Sequence, residues 1–222
     1  MGLVEAEALV ALSAALCSSC APNHTVPVDR QIYSTIDTSP FQRVFVAGFV
    51  VSGSNAIDTS VETVRLLRSQ LRSQSRLRVI ESDPIELSDP DTASDVAYWR
   101  RIGEEFQEPL VVTGTAVFKP VSRARSSLQV AEIDSASLRR REVPTRVYIQ
   151  QSGYRLRLDV AFIDGRTGVT MRTETMQEEV LYGAEQQVPA LSGYFDLMNR
   201  ILPSFLAAVV DHRVEGTRVL LK

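Results

Sequence analysis

The sequence predicts an α/β fold: one mixed β-sheet with packed helices in the order β-α-β-α-β-β-β-α, preceded by a signal and lipobox leader. Three observations carry that prediction. An aromatic and β-branched run over residues 43–51 is followed at once by a helical apolar repeat. Residues 154–162 alternate apolar and polar side chains and stop at Asp164-Gly165-Arg166-Thr167-Gly168, a hairpin signal. Before either, an apolar stretch of about nine residues, Ala8 to Leu16, ends at Cys17 and Cys20.

The leader is the first element. Its apolar stretch has the length of a signal-peptide core and is well short of the ~20 residues that span a bilayer as a helix. Both cysteines of the chain fall where it ends, a placement that resembles a bacterial lipobox, in which the cysteine after a small residue receives the lipid. Cys20, preceded by Ser18 and Ser19, fits better than Cys17, which directly follows Leu16. Residues before the apolar stretch include Glu5 and Glu7 and no Lys or Arg, a departure from the positive start of exported leaders. The alternative is a short N-terminal helix with an incidental Cys-x-x-Cys pair. Residues 21–42, rich in Pro, Ser, Thr and Asp, read as a flexible tether. Ala21 after the cysteine resembles the outer-membrane sorting pattern.

The domain then occupies residues 43–222. Arg43 to Val51 is a buried strand, broken by Ser52-Gly53-Ser54-Asn55. Thr59-Ser60-Val61-Glu62 reads as a capping box, with Val61, Val64, Leu67 and Leu71 on the core face of the helix that follows. Leu77 to Ile80 is a short strand. A helix from about Ser94 to Phe106 places Val96, Trp99, Ile102 and Phe106 on one side. Leu110 to Phe118 is the next strand, and Gly114 within it lets a helix or a neighbouring strand approach closely. After a polar stretch come the alternating strand, a hairpin in which Gly165 and Gly168 supply conformations that side chains disfavour, and a partner strand to about Tyr182. A final helix, about Ala190 to Asp211, turns Leu191, Phe195, Met198, Leu202, Phe205 and Val209 inward, and Pro203 is a kink candidate. Val214 to Leu221 is a candidate last strand.

Composition narrows function. The 222 residues are 44% hydrophobic and 23% charged, enough for one sizeable core, and the formal charge of −3 gives no global attraction to nucleic acid. Two His and two Cys are a poor stock for metal or nucleophile chemistry.

Three segments together resemble the CsgG-like, TolB-N-terminal-like and LpoB-like periplasmic lipoprotein domains. They are Val44-Phe-Val-Ala-Gly-Phe, Glu108-Pro-Leu-Val-Val-Thr-Gly-Thr-Ala, and Leu156-Arg-Leu-Asp-Val-Ala-Phe-Ile-Asp-Gly-Arg-Thr-Gly-Val. The resemblance spans roughly residues 43 to 220, and its motifs are short. It implies architecture and no catalytic site. It also implies a lipid-anchored role at the periplasmic face of the outer membrane, as an assembly factor bound to an envelope protein or to copies of itself. In the channel members of that group, inserted hairpins become transmembrane strands. The corresponding basic insert here, residues 119–146, lacks a clean lipid-facing alternation.

That insert is the candidate site. It carries Arg123, Arg125, Arg139, Arg140, Arg141 and Arg146. A loop of about 28 residues is long for a compact domain and is usually functional or disordered. Its arginines suit an acidic protein, a lipid headgroup or a glycan polymer, and the bland alternative is a solvated hairpin tip.

Other constellations carry less. The turn at Gly53 has one of the three glycines that a dinucleotide fingerprint needs, so an ordinary βα turn is preferred. The acids from Glu81 to Asp95 lack calcium-loop spacing and suit a solvated loop and a helix start. Glu104-Glu105, Glu178-Glu179, His24 and His212 form no catalytic motif. The expectation is therefore a non-enzymatic interaction protein with no cofactor, metal or nucleic-acid partner. The alternatives are an oligomeric secretion-channel subunit and a small-molecule or nucleotide-binding α/β protein.

Overall fold

The computed structural model describes residues 24–53, 57–133, 141–183 and 185–220. The chain forms two units, residues 1–32 with 211–222, and residues 33–210. In the first unit, β1 (His24–Ile32) and β7 (His212–Leu220) pair antiparallel from His24↔Leu220 to Ile32↔His212. This corrects two expectations. Residues 24–32, read as part of a tether, form a strand, so the order of elements gains β1 at its start, while β7 matches the candidate last strand at Val214 to Leu221.

The second unit holds a five-stranded mixed sheet ordered β3-β2-β4-β5-β6. Strand β2 (Arg43–Gly53) lies parallel to β3 (Arg78–Val79) and to the first part of β4 (Leu110–Ile133). Strands β5 (Arg141–Asp164) and β6 (Val169–Tyr182) follow antiparallel. The side chains predicted to point inward along β5, Leu156, Leu158, Val160 and Phe162, are fully buried. They meet α1 (Thr59–Gln74) and α3 (Ala190–Val209), which cover one face of the sheet. Ile36 and Phe41, also assigned to the tether, are buried in this core, and the Ile36 N–H donates to Ala208 O at 3.1 Å.

Helix α1 is capped one residue earlier than expected: Asp58 Oδ1 accepts from Val61 N at 3.0 Å, and Glu62 turns to Arg65 instead of closing a capping box. Asp at the N-cap with a β-branched first residue explains the shift. Val61 is consequently exposed, while Val64, Leu67 and Leu71 are buried. In α3, Met198, Leu202, Phe205 and Val209 face the core as expected, joined by Tyr194, Leu197 and Ile201, whereas Leu191 is exposed. Tyr194 Oη lies 2.7 Å from Thr63 Oγ1, so its hydroxyl is satisfied in the core.

Among the described residues of this unit, the opposite face is covered at one end. There α2 (Val96–Glu105) and residues 80–87 pack on Phe45, Ala47, Val111, Ala161 and Ile163, with Trp99 fully buried and Val96 exposed. Trp99 Nε1 donates to Thr92 O at 2.7 Å. The buried Arg68 ties residues 80–87 down, donating to Ser82 O at 2.5 Å and Val46 O at 2.7 Å. Of the acids between Glu81 and Asp95, Asp89 and Asp95 cap the starts of a 3₁₀ turn and of α2, and Glu81 pairs with Arg72.

Two glycines are required by conformation. Gly114 has φ +149° and Gly168 has φ +75°, regions that L side chains disfavour. Gly165, expected to act in the same way, has no positive φ. It is needed for space, because a Cβ there would lie 2.4 Å from Pro109 O.

Candidate functional site

The sheet leads directly into the segment the sequence marked as an insert. That segment is not a loop where it is described, because β4 and β5 run on as an antiparallel ladder to Ile133↔Arg141. Pairing with β2 ends at Gly53↔Phe118 and pairing with β6 ends at Ser152↔Tyr182. From Arg123↔Gln151 onward the two strands therefore pair only with each other among the described residues. At about 3.4 Å per residue this ribbon runs on the order of 35 Å. A polar, arginine-rich composition is compatible with such a ladder, because its backbone hydrogen bonds close within the pair whatever the side chains are.

Charged side chains gather at the base of the ribbon. Glu179 on β6 accepts from Arg123 of β4 at 2.8 Å and from Arg155 of β5 at 2.5 Å. The hydrogen bond from Arg155 is the main reason the Glu179 carboxyl is held below its ordinary pKa, with the charges of Arg123 and Arg155 adding to it. Arg157 and Asp159 form the next pair at 3.0 Å, and Thr175 Oγ1 donates to Asp159 at 2.6 Å. Burial raises the Asp159 pKa, but the bonds from Arg157 and Thr175, the Arg157 charge and Thr115 outweigh it and leave the group below its ordinary value. Solvent screens exposed pairs of this type, so they add little net stability. They orient the guanidinium groups more than they hold the fold. Two arginines share the single Glu179 carboxylate, and the neighbouring Lys119 is exposed, so the patch carries a positive excess.

Of the arginines singled out from the sequence, Arg123 belongs to this patch. Arg125 is exposed on the ribbon and stands in register with Ile149. Arg141 pairs its backbone with Ile133, and Arg146, exposed, pairs with Leu128. Arg139 and Arg140 lie outside the described residues, as do Cys17 and Cys20 and part of the Gly53 turn. Sequence reading missed Lys119, Arg155 and Glu179 as site residues. Arg155 was visible as the polar side of the alternating strand, but its partner Glu179 is 24 residues away.

On the other face, a cleft of about 530 Å³ opens at the root of the ribbon beside the segment that precedes α3, lined by Pro120, Ser122, Ser152, Tyr154, Tyr182 and Gln187, among others. Tyr154 Oη donates to Val188 O at 2.8 Å. Tyr182 Oη donates to Asp196 at 2.7 Å, and burial together with that carboxylate pushes the Tyr182 pKa up to about 12. Among the described residues no group of three or more His, Cys, Asp or Glu is placed to hold a metal ion. No described helix is long and apolar enough to cross a membrane.

Neither a protein-family model nor a curated protein sequence matches the chain. Among solved structures, a neuraminyllactose-binding hemagglutinin homolog from Helicobacter pylori aligns at 14% identity and a TM-score of 0.30, covering 76% of this chain and 84% of that one. The PelC dodecamer from Paraburkholderia phytofirmans aligns at 12% identity and a TM-score of 0.35, covering 80% and 96%. Likenesses this weak carry no argument about what the present chain binds. No family match supports the resemblance to CsgG-like, LpoB-like or TolB-N-terminal-like domains.

Proposed function

We propose that this chain is a non-enzymatic interaction or assembly factor that engages a partner through the β4–β5 ribbon and the arginine patch at its base. One observation carries this reading: a two-stranded arm, paired to nothing else among the described residues, leaves a well-packed sheet and presents Arg123, Arg125 and Arg146. A folded arm costs conformational entropy and buries little core, so contact with something outside the domain is the natural use for it. The partner has acidic or phosphate-like groups, since paired and exposed guanidinium groups suit carboxylates and phosphates. Together with the leader and the sequence resemblance, this gives a lipoprotein anchored through Cys20 at the periplasmic face of the outer membrane, serving an envelope or secretion complex.

The test is cross-linking in membranes, comparing the native chain with Arg123→Ala/Arg125→Ala/Arg146→Ala and with Arg139→Ala/Arg140→Ala/Arg141→Ala. Loss of a specific cross-linked partner in either variant, with an unchanged melting temperature, supports the reading. An unchanged cross-link pattern in both overturns it. Intact mass with a Cys20→Ser control tests the anchor: an unmodified chain in the soluble fraction would remove the envelope location.

The ladder favours a second reading, a channel subunit, because paired strands of this length are the elements of membrane barrels. Rings in electron micrographs together with ion conductance in bilayers would move that reading to the front.

A further inference from the structure

The sheet ends at β6, whose outer edge has no neighbouring strand among the described residues. The strand has 14 residues and contains no proline. Its one register irregularity lies at the start, opposite Phe162/Ile163, so the edge is regular from Arg172 to Tyr182. Proteins usually shorten, bend or cover such an edge, because its open N–H and C=O groups are a template for another strand. Beside it runs a groove of about 540 Å³ between β6 and the C-terminal half of α3, where Ser204, Ala207 and Ala208 keep the helix side shallow. A strand added to β6 would place alternate side chains in that groove.

We propose that the added strand is β6 of a second copy, paired antiparallel about a two-fold axis at Thr175. Charge favours this register over a shift of one residue in either direction. With the axis at Thr175, Arg172 stands opposite Glu178 of the second copy, twice by symmetry, and both residues line the groove. Thr173 then faces Gln177, and Val169 faces Leu181. Moving the axis one residue sets Glu174 against Glu174 or Glu174 against Glu178, and like charges directly opposite oppose pairing. In the single chain Arg172 turns to Glu174 on its own strand, and the second copy brings a further arginine up to Glu178. The pairing would join the two sheets edge to edge. It uses none of the ribbon residues and stands or falls independently of the ribbon's role.

The experiment uses the full chain with Cys17 and Cys20 replaced by Ser. Thr175→Cys should cross-link to itself on oxidation, because the residue meets its own copy. Thr173→Cys alone and Gln177→Cys alone should not, whereas a mixture of the two should. By sedimentation, Arg172→Glu and Glu178→Arg should each weaken self-association at least ~10-fold by setting like charges opposite. Mixing those two variants should restore dimers, since each mutant side chain then meets its complement. A chain that stays monomeric at these concentrations overturns the proposal. So do oligomers in which Thr175→Cys links no better than Thr173→Cys, or a charge-variant mixture that fails to recover.

Discussion

Gly114 is the position where one added methyl group should do the most damage. It sits in β4 with φ +149°, and a Cβ built there would lie 1.9 Å from the Asp159 carbonyl oxygen of β5. Holding an L residue in that backbone region costs about 1–3 kcal/mol. The contact is far inside van der Waals distance and involves backbone on both sides, so β4 and β5 must part locally. Losing one or two ladder hydrogen bonds adds about 0.5–1.5 kcal/mol for each. Gly114→Ala should therefore cost about 1.5–6 kcal/mol, a large share of the 5–15 kcal/mol that typically holds a domain together. With a urea m-value of about 1–3 kcal/mol/M, the midpoint should fall by on the order of 2 M in equilibrium unfolding followed by circular dichroism. Thr115→Ala is the control. Thr115 is next in the strand and loses only a 3.3 Å hydrogen bond to Asp159, which is worth less than about 1 kcal/mol. A Gly114→Ala midpoint within about 0.5 M of the native chain, given that range of m-values, would refute the reasoning. It would mean that the strands tolerate a side chain at this crossing.

Further outcomes follow from the same geometry. Arg68→Met removes the two guanidinium bonds that bridge Ser82 and Val46; it should cost about 2–3 kcal/mol and speed amide exchange at Ile85, whose N–H donates to Ala47 O. Gln107, just past the end of α2, has φ +62°, the position where glycine usually ends a helix, so Gln107→Gly should raise stability by up to about 1 kcal/mol in the same urea assay. The pH dependence rests on Asp159 and Asp164. At Asp164, as at Asp159, burial raises the pKa, and the bonds and charge of Arg166 with the neighbouring backbone bring it below the ordinary value. A carboxyl whose folded pKa is depressed contributes stability that is present above its unfolded pKa, near 3.9, and lost as pH falls through the folded value. The urea midpoint should thus decline below about pH 4, and Asp159→Asn/Asp164→Asn should flatten that decline while lowering stability at neutral pH. An acid limb of unchanged slope in the double variant would show that other groups set it.

The central elements were legible because their signals are local. The alternation of Leu156, Leu158, Val160 and Phe162 depends only on the two-residue period of a strand, and each of these side chains is buried. The face of α3 followed from its period in the same way. What escaped reading depends on distant partners. Val26 and Val28 were hidden in a segment whose composition suggests a tether, and their strand exists because residues 212–220 return at the other end of the chain. Arg123 meets Glu179 across 56 positions of sequence, and no spacing rule reports such a contact. The ribbon was misread for a related reason: hydrophobic periodicity detects strands that pack on a core, and these strands pair beyond it.

That last error bears on function. A two-stranded ribbon is marginally stable alone, so the β4–β5 arm draws its order from the sheet at its base, where Phe118 stacks on Tyr154 with ring centroids 5.2 Å apart and meets Tyr194 edge-on at 5.7 Å. Substitutions at exposed arm positions such as Arg125 should leave that aromatic base intact and change stability by no more than about 0.5 kcal/mol. Substitutions at the base, Tyr154→Ala for example, should loosen the arm and the sheet together. Binding that is lost at Arg123 and Arg125 with stability unchanged therefore marks direct contact with a partner. Binding lost only when Tyr154 is truncated would mean that the arm merely positions a contact surface located elsewhere.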